Sequence, residues 1–168
     1  MTKPPLIGIV GTSNVGKTTL IERLIPIFKE KGIAVAVIKH HPHDFDIDIP
    51  GKDTHRLKAA GAKTTVISSP KKIAIVSDVK KEVMPNDIVS RYVDDVDLVI
   101  VEGYKKEKIP KIEIFRHKKD TKPVCANDPY IIAFVTDTRF ETEKPVFLLD
   151  EVQKIAEFII NFISKNGS

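Results

Sequence analysis

Apolar residues come in short runs, and the segments between them repeat at a helical period. Leu6 to Val10 is a five-residue apolar run closed by a glycine, the pattern of a buried strand. Lys17 to Lys31 follows as a helix, with Leu20, Ile21, Leu24, Ile25 and Phe28 on one face and Gly32 as the stop. Pro26 lies inside it and should kink it or cost it a hydrogen bond. Ile33 to Lys39 forms a second strand, and a polar stretch runs from His40 to Gly51. Asp53 to Ala60 is a short helix, and Thr64 to Ser68 and Ile73 to Val76 are short strands. A helix capped at Asn86 or Asp87 runs to Asp94, and Asp97 to Val101 is a third strongly apolar strand ending at Glu102-Gly103. Lys111 to Phe115, Tyr130 to Val135 and Val146 to Leu149 are further strands, and a helix covers Glu151 to Ser164. Strands alternating with helices predict an α/β layered domain with a mainly parallel sheet.

The chain has 168 residues, a length that suits one domain over 1–168. Its one cysteine, Cys125, forms no disulfide within the chain and fits a reducing compartment. The first apolar run is too short for a signal-peptide core or a membrane span, so a cytoplasmic, globular protein is expected. The net charge of +4 is a mild excess that does not mark a nucleic-acid binder.

The sharpest chemical signal is Gly11-Thr12-Ser13-Asn14-Val15-Gly16-Lys17-Thr18, placed between the first strand and the first helix. It matches the phosphate-loop pattern in the context that pattern requires. Its glycines let the backbone wrap a phosphate, and its N–H groups and the helix N-terminus supply positive potential. Lys17 is expected on the β- and γ-phosphates, with the Thr18 hydroxyl on Mg²⁺. Glu102, at the carboxyl end of a buried strand, is the expected acidic partner of that metal.

Three further features bear on function. The stretch from Lys39 to Thr54 holds His40, His41, His43, Asp44, Asp46, Asp48 and Asp53. It suits a switch or substrate loop whose carboxylates contact Mg²⁺, a transition-metal site, or a plain solvated loop with Phe45, Ile47 and Ile49 packed inward. Lys105, Lys106, Lys108, Lys111, Arg116, His117, Lys118, Lys119 and Lys122 crowd the region after Glu102. That region suits an anionic cofactor or an acidic partner, or else a solvated pair of edge strands. The strands at Lys111–Phe115 and Tyr130–Val135 are expected to pair with each other and to offer an edge or face to a second subunit. Finally, Asp137 follows an apolar strand and can accept both guanine donors, N1–H and the exocyclic amine, or else merely cap a turn.

The phosphate loop with Thr19-Leu20, the segment V-I-K-H-H-P-H-D-F-D-I-D-I-P-G-K-D-T-H-R-L-K-A-A-G-A and the run D-L-V-I-V-E-G-Y-K together resemble the MobB family. These are P-loop GTPases that act as adaptors in molybdopterin-guanine dinucleotide biosynthesis, and the resemblance spans about residues 6–160. It implies a three-layer P-loop fold, a mainly parallel sheet with antiparallel edge strands, and weak GTP hydrolysis at most. It also implies a homodimer that assists a guanylyltransferase in coupling GMP to molybdopterin, with neither nucleic acid nor membrane as a partner. By position, Gly11 to Thr19 bind GTP phosphates and Glu102 serves Mg²⁺, which Thr18 of the phosphate loop and Asp46 and Asp53 of the switch segment are expected to join in holding. The segment from His41 to Asp53 faces the nucleotide or molybdopterin as a bound ligand. No N-K-x-D guanine motif is present, and Thr136-Asp137 is the nearest substitute. A small-molecule kinase is the first alternative, though arginines for a phosphate-clamping lid are few and scattered. A metallochaperone GTPase using His40 to His43 is the second, without a cysteine pair to support it.

Overall fold

The computed structural model describes residues 3–117 and 122–166. In chain order the elements are β1 (Leu6–Val10), α1 (Lys17–Glu30), β2 (Val35–Lys39), α2 (Asp53–Ala59), β3 (Thr64–Ser69) and β4 (Lys72–Ser77). They continue with α3 (Pro85–Tyr92), β5 (Leu98–Glu102), β6 (Lys111–Phe115), β7 (Ile131–Thr136), β8 (Val146–Leu148) and α4 (Val152–Asn166). The chain divides into two compact units, one of residues 1–40 and 88–168, the other of residues 41–87.

The larger unit is built on a six-stranded sheet in the order β2-β5-β1-β6-β7-β8. Each neighbouring pair is parallel. Both faces of a parallel sheet are covered, which is why β5 and β6 are buried along their whole length. On one face α1 contributes Leu20, Ile21, Leu24 and Phe28, and α4 contributes Val152, Ile155, Ala156 and Ile159. They meet Ile7, Ile9, Leu98, Ile100, Ile112 and Ile114 in one core. Pro26 does not interrupt α1, so its cost is the missing N–H alone.

The second face carries Val89, from the part of α3 that belongs to this unit, against Ile38, Val99, Val101 and Ile109. The helix-free connection 103–110 and the described residues 122–130 also pack here. A connection of this kind leaves backbone groups that secondary structure would otherwise satisfy. Lys111 and Glu113 on β6 supply the partners. The Lys111 ammonium donates to the carbonyls of Lys105 and Glu107 and pairs with Asp128 at 2.6 Å. Glu113 accepts from the backbone N–H of Val124 at 2.6 Å and of Cys125 at 3.0 Å. Both side chains are fully buried.

Two expectations are corrected by this sheet. β6 and β7 do pair with each other, but in parallel and in the interior of the sheet, so neither offers an edge to a second subunit. The edges are β2 and β8, both parallel to their neighbours. The antiparallel pairing sits instead in a separate two-stranded sheet.

That sheet, β3 with β4, belongs to the smaller unit and turns at Pro70-Lys71 with Ser69 opposite Lys72. Thr65 is its buried position, while Val66, Ile73 and Ile75 share an exposed face. Asp48 Oδ1 accepts from the Thr54 hydroxyl at 2.9 Å and ties the start of α2 to the preceding segment. Phe45, Ile47 and Ile49 are 63%, 73% and 64% exposed, so the inward packing of the plain-loop alternative does not occur.

Candidate nucleotide-binding site

The site lies at the carboxyl ends of the parallel strands, beside β1, where the chain passes from one side of the sheet to the other. After Val10 the backbone turns sharply. Gly11 has φ +144°, and a Cβ there would lie 2.2 Å from the carbonyl oxygen of Ile114, so only glycine fits. Asn14 is left-handed at φ +57°, and Gly16, at φ +110° and ψ 19°, precedes the first residue of α1. Val15 is fully buried and anchors the loop from within. No side chain caps α1, and its first turn holds no acidic residue. The positive potential of the helix start therefore stays available to an anion.

Lys17 folds back over the loop, its Nζ donating to the carbonyls of Thr12 at 2.7 Å and Gly11 at 3.3 Å. The Thr18 hydroxyl is 3.0 Å from each carboxylate oxygen of Glu102. Strand order explains this contact. β5 lies between β2 and β1, and the register sets Glu102 beside Lys39 on one side and Ile9 on the other. The Lys39 ammonium consequently stands 3.4 Å from Glu102 Oε1 and 3.3 Å from the Thr18 hydroxyl oxygen. A hydroxyl and a largely buried carboxylate, with a cation already held against both, suit a hard divalent ion that takes its remaining ligands from phosphate and water. Next to Glu102, Gly103 has φ +95° and packs against His40, whose N–H donates to the Glu102 carbonyl at 2.9 Å.

On the other side of β1, Arg116 follows the last residue of β6, and its Nε donates to the Val15 carbonyl at 3.1 Å. Asp137, just past β7, accepts the His117 N–H at Oδ1 at 3.0 Å. That bond, then the Thr136 hydroxyl and the nearby His117 ring, hold its carboxyl below the usual range. Asp137 thus joins the ends of β6 and β7, its side chain only 28% exposed.

In the smaller unit, Asp46 is exposed, and Asp53 opens α2 with Arg56 3.8 Å away. His41 Nδ1 lies 2.9 Å from the His43 carbonyl oxygen, and its ring meets His43 and Phe45 edge-on. Among the described residues, no group of three or more His, Cys, Asp or Glu side chains is gathered to hold a metal. Nothing of that kind supports a transition-metal site at these histidines.

The basic region divides. Lys105, Lys106 and Lys108 are exposed and line an open groove of about 670 Å³, opposite the segment Pro123 to Tyr130. Lys111 is not part of that surface but lies buried beneath it. Partial burial pushes the Asp128 carboxyl up, yet hydrogen bonds from Lys111 and the Tyr130 N–H, with the Lys111 charge, bring it below its ordinary value. Burial, then the Glu113 charge, raise the Cys125 thiol above its ordinary range. Lys118 and Lys119 lie outside the described residues.

Lys39 and Arg116 fall in the two segments that suit an anionic partner, yet neither carries a local signal that ties it to the phosphate loop. Both sit at the carboxyl end of a parallel strand. Their relation to the phosphate loop depends on strand order, which no local pattern reveals.

The chain is also similar to known proteins. The family model described as molybdopterin guanine dinucleotide synthesis protein B matches residues 6–137. The molybdopterin-guanine dinucleotide biosynthesis adapter protein of Haemophilus influenzae is 38% identical over 160 residues, covering 95% of this chain and 89% of the relative. The protein of the same name from Escherichia coli is 33% identical over 167 residues, covering 97% and 95%. A crystal structure of molybdopterin-guanine biosynthesis protein B superposes with a TM-score of 0.78 at 36% identity, covering 95% of this chain and 99% of that one.

Proposed function

The chain belongs to the MobB family, and from that membership we propose that this adapter of molybdopterin guanine dinucleotide biosynthesis binds GTP with Mg²⁺ and assists a guanylyltransferase. The observation that carries the reading is the Thr18–Glu102 contact beside a complete phosphate loop. Residues 11–19 bind the phosphates, with Lys17 as the point charge. Thr18 and Glu102 hold the metal, which neutralises phosphate charge when bound. Asp137 is the candidate guanine reader, since it is a partly exposed carboxylate at the end of β7. In the smaller unit, the residues from His41 to Asp53, with exposed Asp46 and Asp53, are the candidate contacts to molybdopterin or to a metal.

The chain acts as a homodimer in this reading. Support comes from the smaller unit, where Val66, Ile73 and Ile75 form an exposed apolar strip on the two-stranded sheet. Apolar surface of that kind marks association sites. Among the described residues, no helix is long and apolar enough to cross a membrane.

The test is binding of the full chain to a purified molybdopterin guanylyltransferase, measured with GTP and Mg²⁺ and without them. A complex that Lys17→Ala weakens supports the reading. No complex under either condition contradicts it.

A further inference from the structure

The peptide unit joining Val15 to Gly16 is fixed at two points. On one side the Val15 side chain is fully buried, and its Cγ1 would lie 3.1 Å from a Cβ built on Gly11. On the other side the Val15 carbonyl accepts the hydrogen bond from Arg116 Nε at 3.1 Å. Beyond the peptide, Arg116 Nη2 stands 3.5 Å from where a Gly16 Cβ would be, an ordinary contact distance, so the guanidinium lies against this peptide. Arg116 itself is rooted firmly. It continues from Phe115 on β6, the strand that pairs with β1.

A trans peptide is planar, so its C=O and its N–H point in opposite directions. In a phosphate loop the N–H groups must face the anion. A donor that holds the Val15 carbonyl outward therefore aims the Gly16 N–H inward. Because the donor is a cation, it also polarises the peptide and makes that N–H a stronger donor.

We propose that Arg116 is a positioning residue of the phosphate site, presetting the Gly16 N–H toward a phosphate oxygen by holding the Val15 carbonyl. This rests on the reading of residues 11–18 as a phosphate loop. The guanidinium acts from behind the loop through one peptide, and its fork matters more than its charge. Lysine has no equivalent of Nε at that position along the side chain, so it is a poor substitute.

The experiment measures GTP affinity by calorimetry in the presence of Mg²⁺ for the full chain and for Arg116→Gln, Arg116→Lys and Lys17→Ala. Each titration is repeated at several salt concentrations. We expect Arg116→Gln and Arg116→Lys each to weaken GTP about tenfold, the loss of one charge-assisted hydrogen bond. The dependence of affinity on salt should match that of the unaltered chain. In the nucleotide-free protein, the Gly16 amide proton resonance should move upfield in both variants, a readout that a role in stability alone would not produce. Wild-type affinity in both variants overturns the proposal. So does full rescue by Arg116→Lys, or a reduced salt dependence in Arg116→Gln, since either would make Arg116 a direct charge contact. If Lys17→Ala also leaves GTP binding unchanged, the phosphate-loop reading itself fails, and the two failures are distinguishable. Should Arg116→Gln not fold, the amide shift and affinity of Arg116→Lys decide.

Discussion

Replacing Glu102 by glutamine keeps the shape of the side chain and removes its charge. In the structure both carboxylate oxygens face the Thr18 hydroxyl at 3.0 Å, and Oε1 faces the Lys39 ammonium at 3.4 Å. Both neighbours are donors. Glutamine would offer them one acceptor and one opposing NH₂ donor. Without nucleotide the cost is one hydrogen bond to a charged acceptor, about 1.5 kcal/mol at this half-open end of the sheet. The metal should suffer more. Loss of a carboxylate that orients a metal ligand typically lowers metal affinity by about 10- to 100-fold, or about 1.4–2.7 kcal/mol. Calorimetric titration of GTP with Mg²⁺ and with EDTA separates the two effects. Wild type should gain affinity from Mg²⁺, and Glu102→Gln should lose about one to two orders of magnitude of that gain. Its metal-free affinity should be no weaker, because a negative charge near the phosphates has been removed. An unchanged magnesium-dependent gain would refute the assignment of Glu102 to the metal.

The buried pair under the helix-free crossings gives a stability test. Asp128→Asn should destabilise the chain by about 3 kcal/mol, the lower end for a broken buried pair, because asparagine still offers an acceptor to Lys111. For a chain of this size that is a fall of about 6–12 °C in Tm. Because the Asp128 carboxyl is held below its ordinary value, its contribution is present above about pH 3.9 and is lost as pH falls through the lowered value. The asparagine variant should lack that part of the acid dependence, and acid-unfolding curves that superimpose would count against the pair. For assembly, Ile73→Ser combined with Ile75→Ser should shift sedimentation from dimer to monomer with little change in unfolding temperature. A wild-type monomer at micromolar concentration would remove the basis for that strip as an interface.

The phosphate loop was readable in the sequence because its chemistry demands particular residue types at fixed spacing next to one strand and one helix. Glu102 was readable for a related reason: four apolar residues place it at a strand end. The parallel pairing of β6 with β7 was not. The segment 116–130 has no helical period, so two short strands on either side of it resemble a hairpin. A connection of that length is nevertheless enough to return to a parallel neighbour. Lys111 was misjudged for the same reason. A lysine at a strand start suggests solvent, yet this one is buried because crossings without helices need their carbonyls satisfied. Phe45, Ile47 and Ile49 erred in the opposite direction. Their alternation suggests inward packing, whereas they stand exposed on the smaller unit.

Base selection tests the central claim most directly, since guanine specificity separates a GTP-dependent adapter from a general phosphate binder. Asp137 stands at the end of β7 with Oδ1 on the His117 N–H, and guanine offers two adjacent donors that adenine lacks. Parallel calorimetric titrations of GTP and ATP, each with Mg²⁺, should be run on the wild-type chain and on Asp137→Ala. The account predicts that wild type binds GTP more tightly than ATP, and that Asp137→Ala weakens GTP by about one to two orders of magnitude while barely changing ATP. Equal affinity of the wild-type chain for the two nucleotides would contradict it.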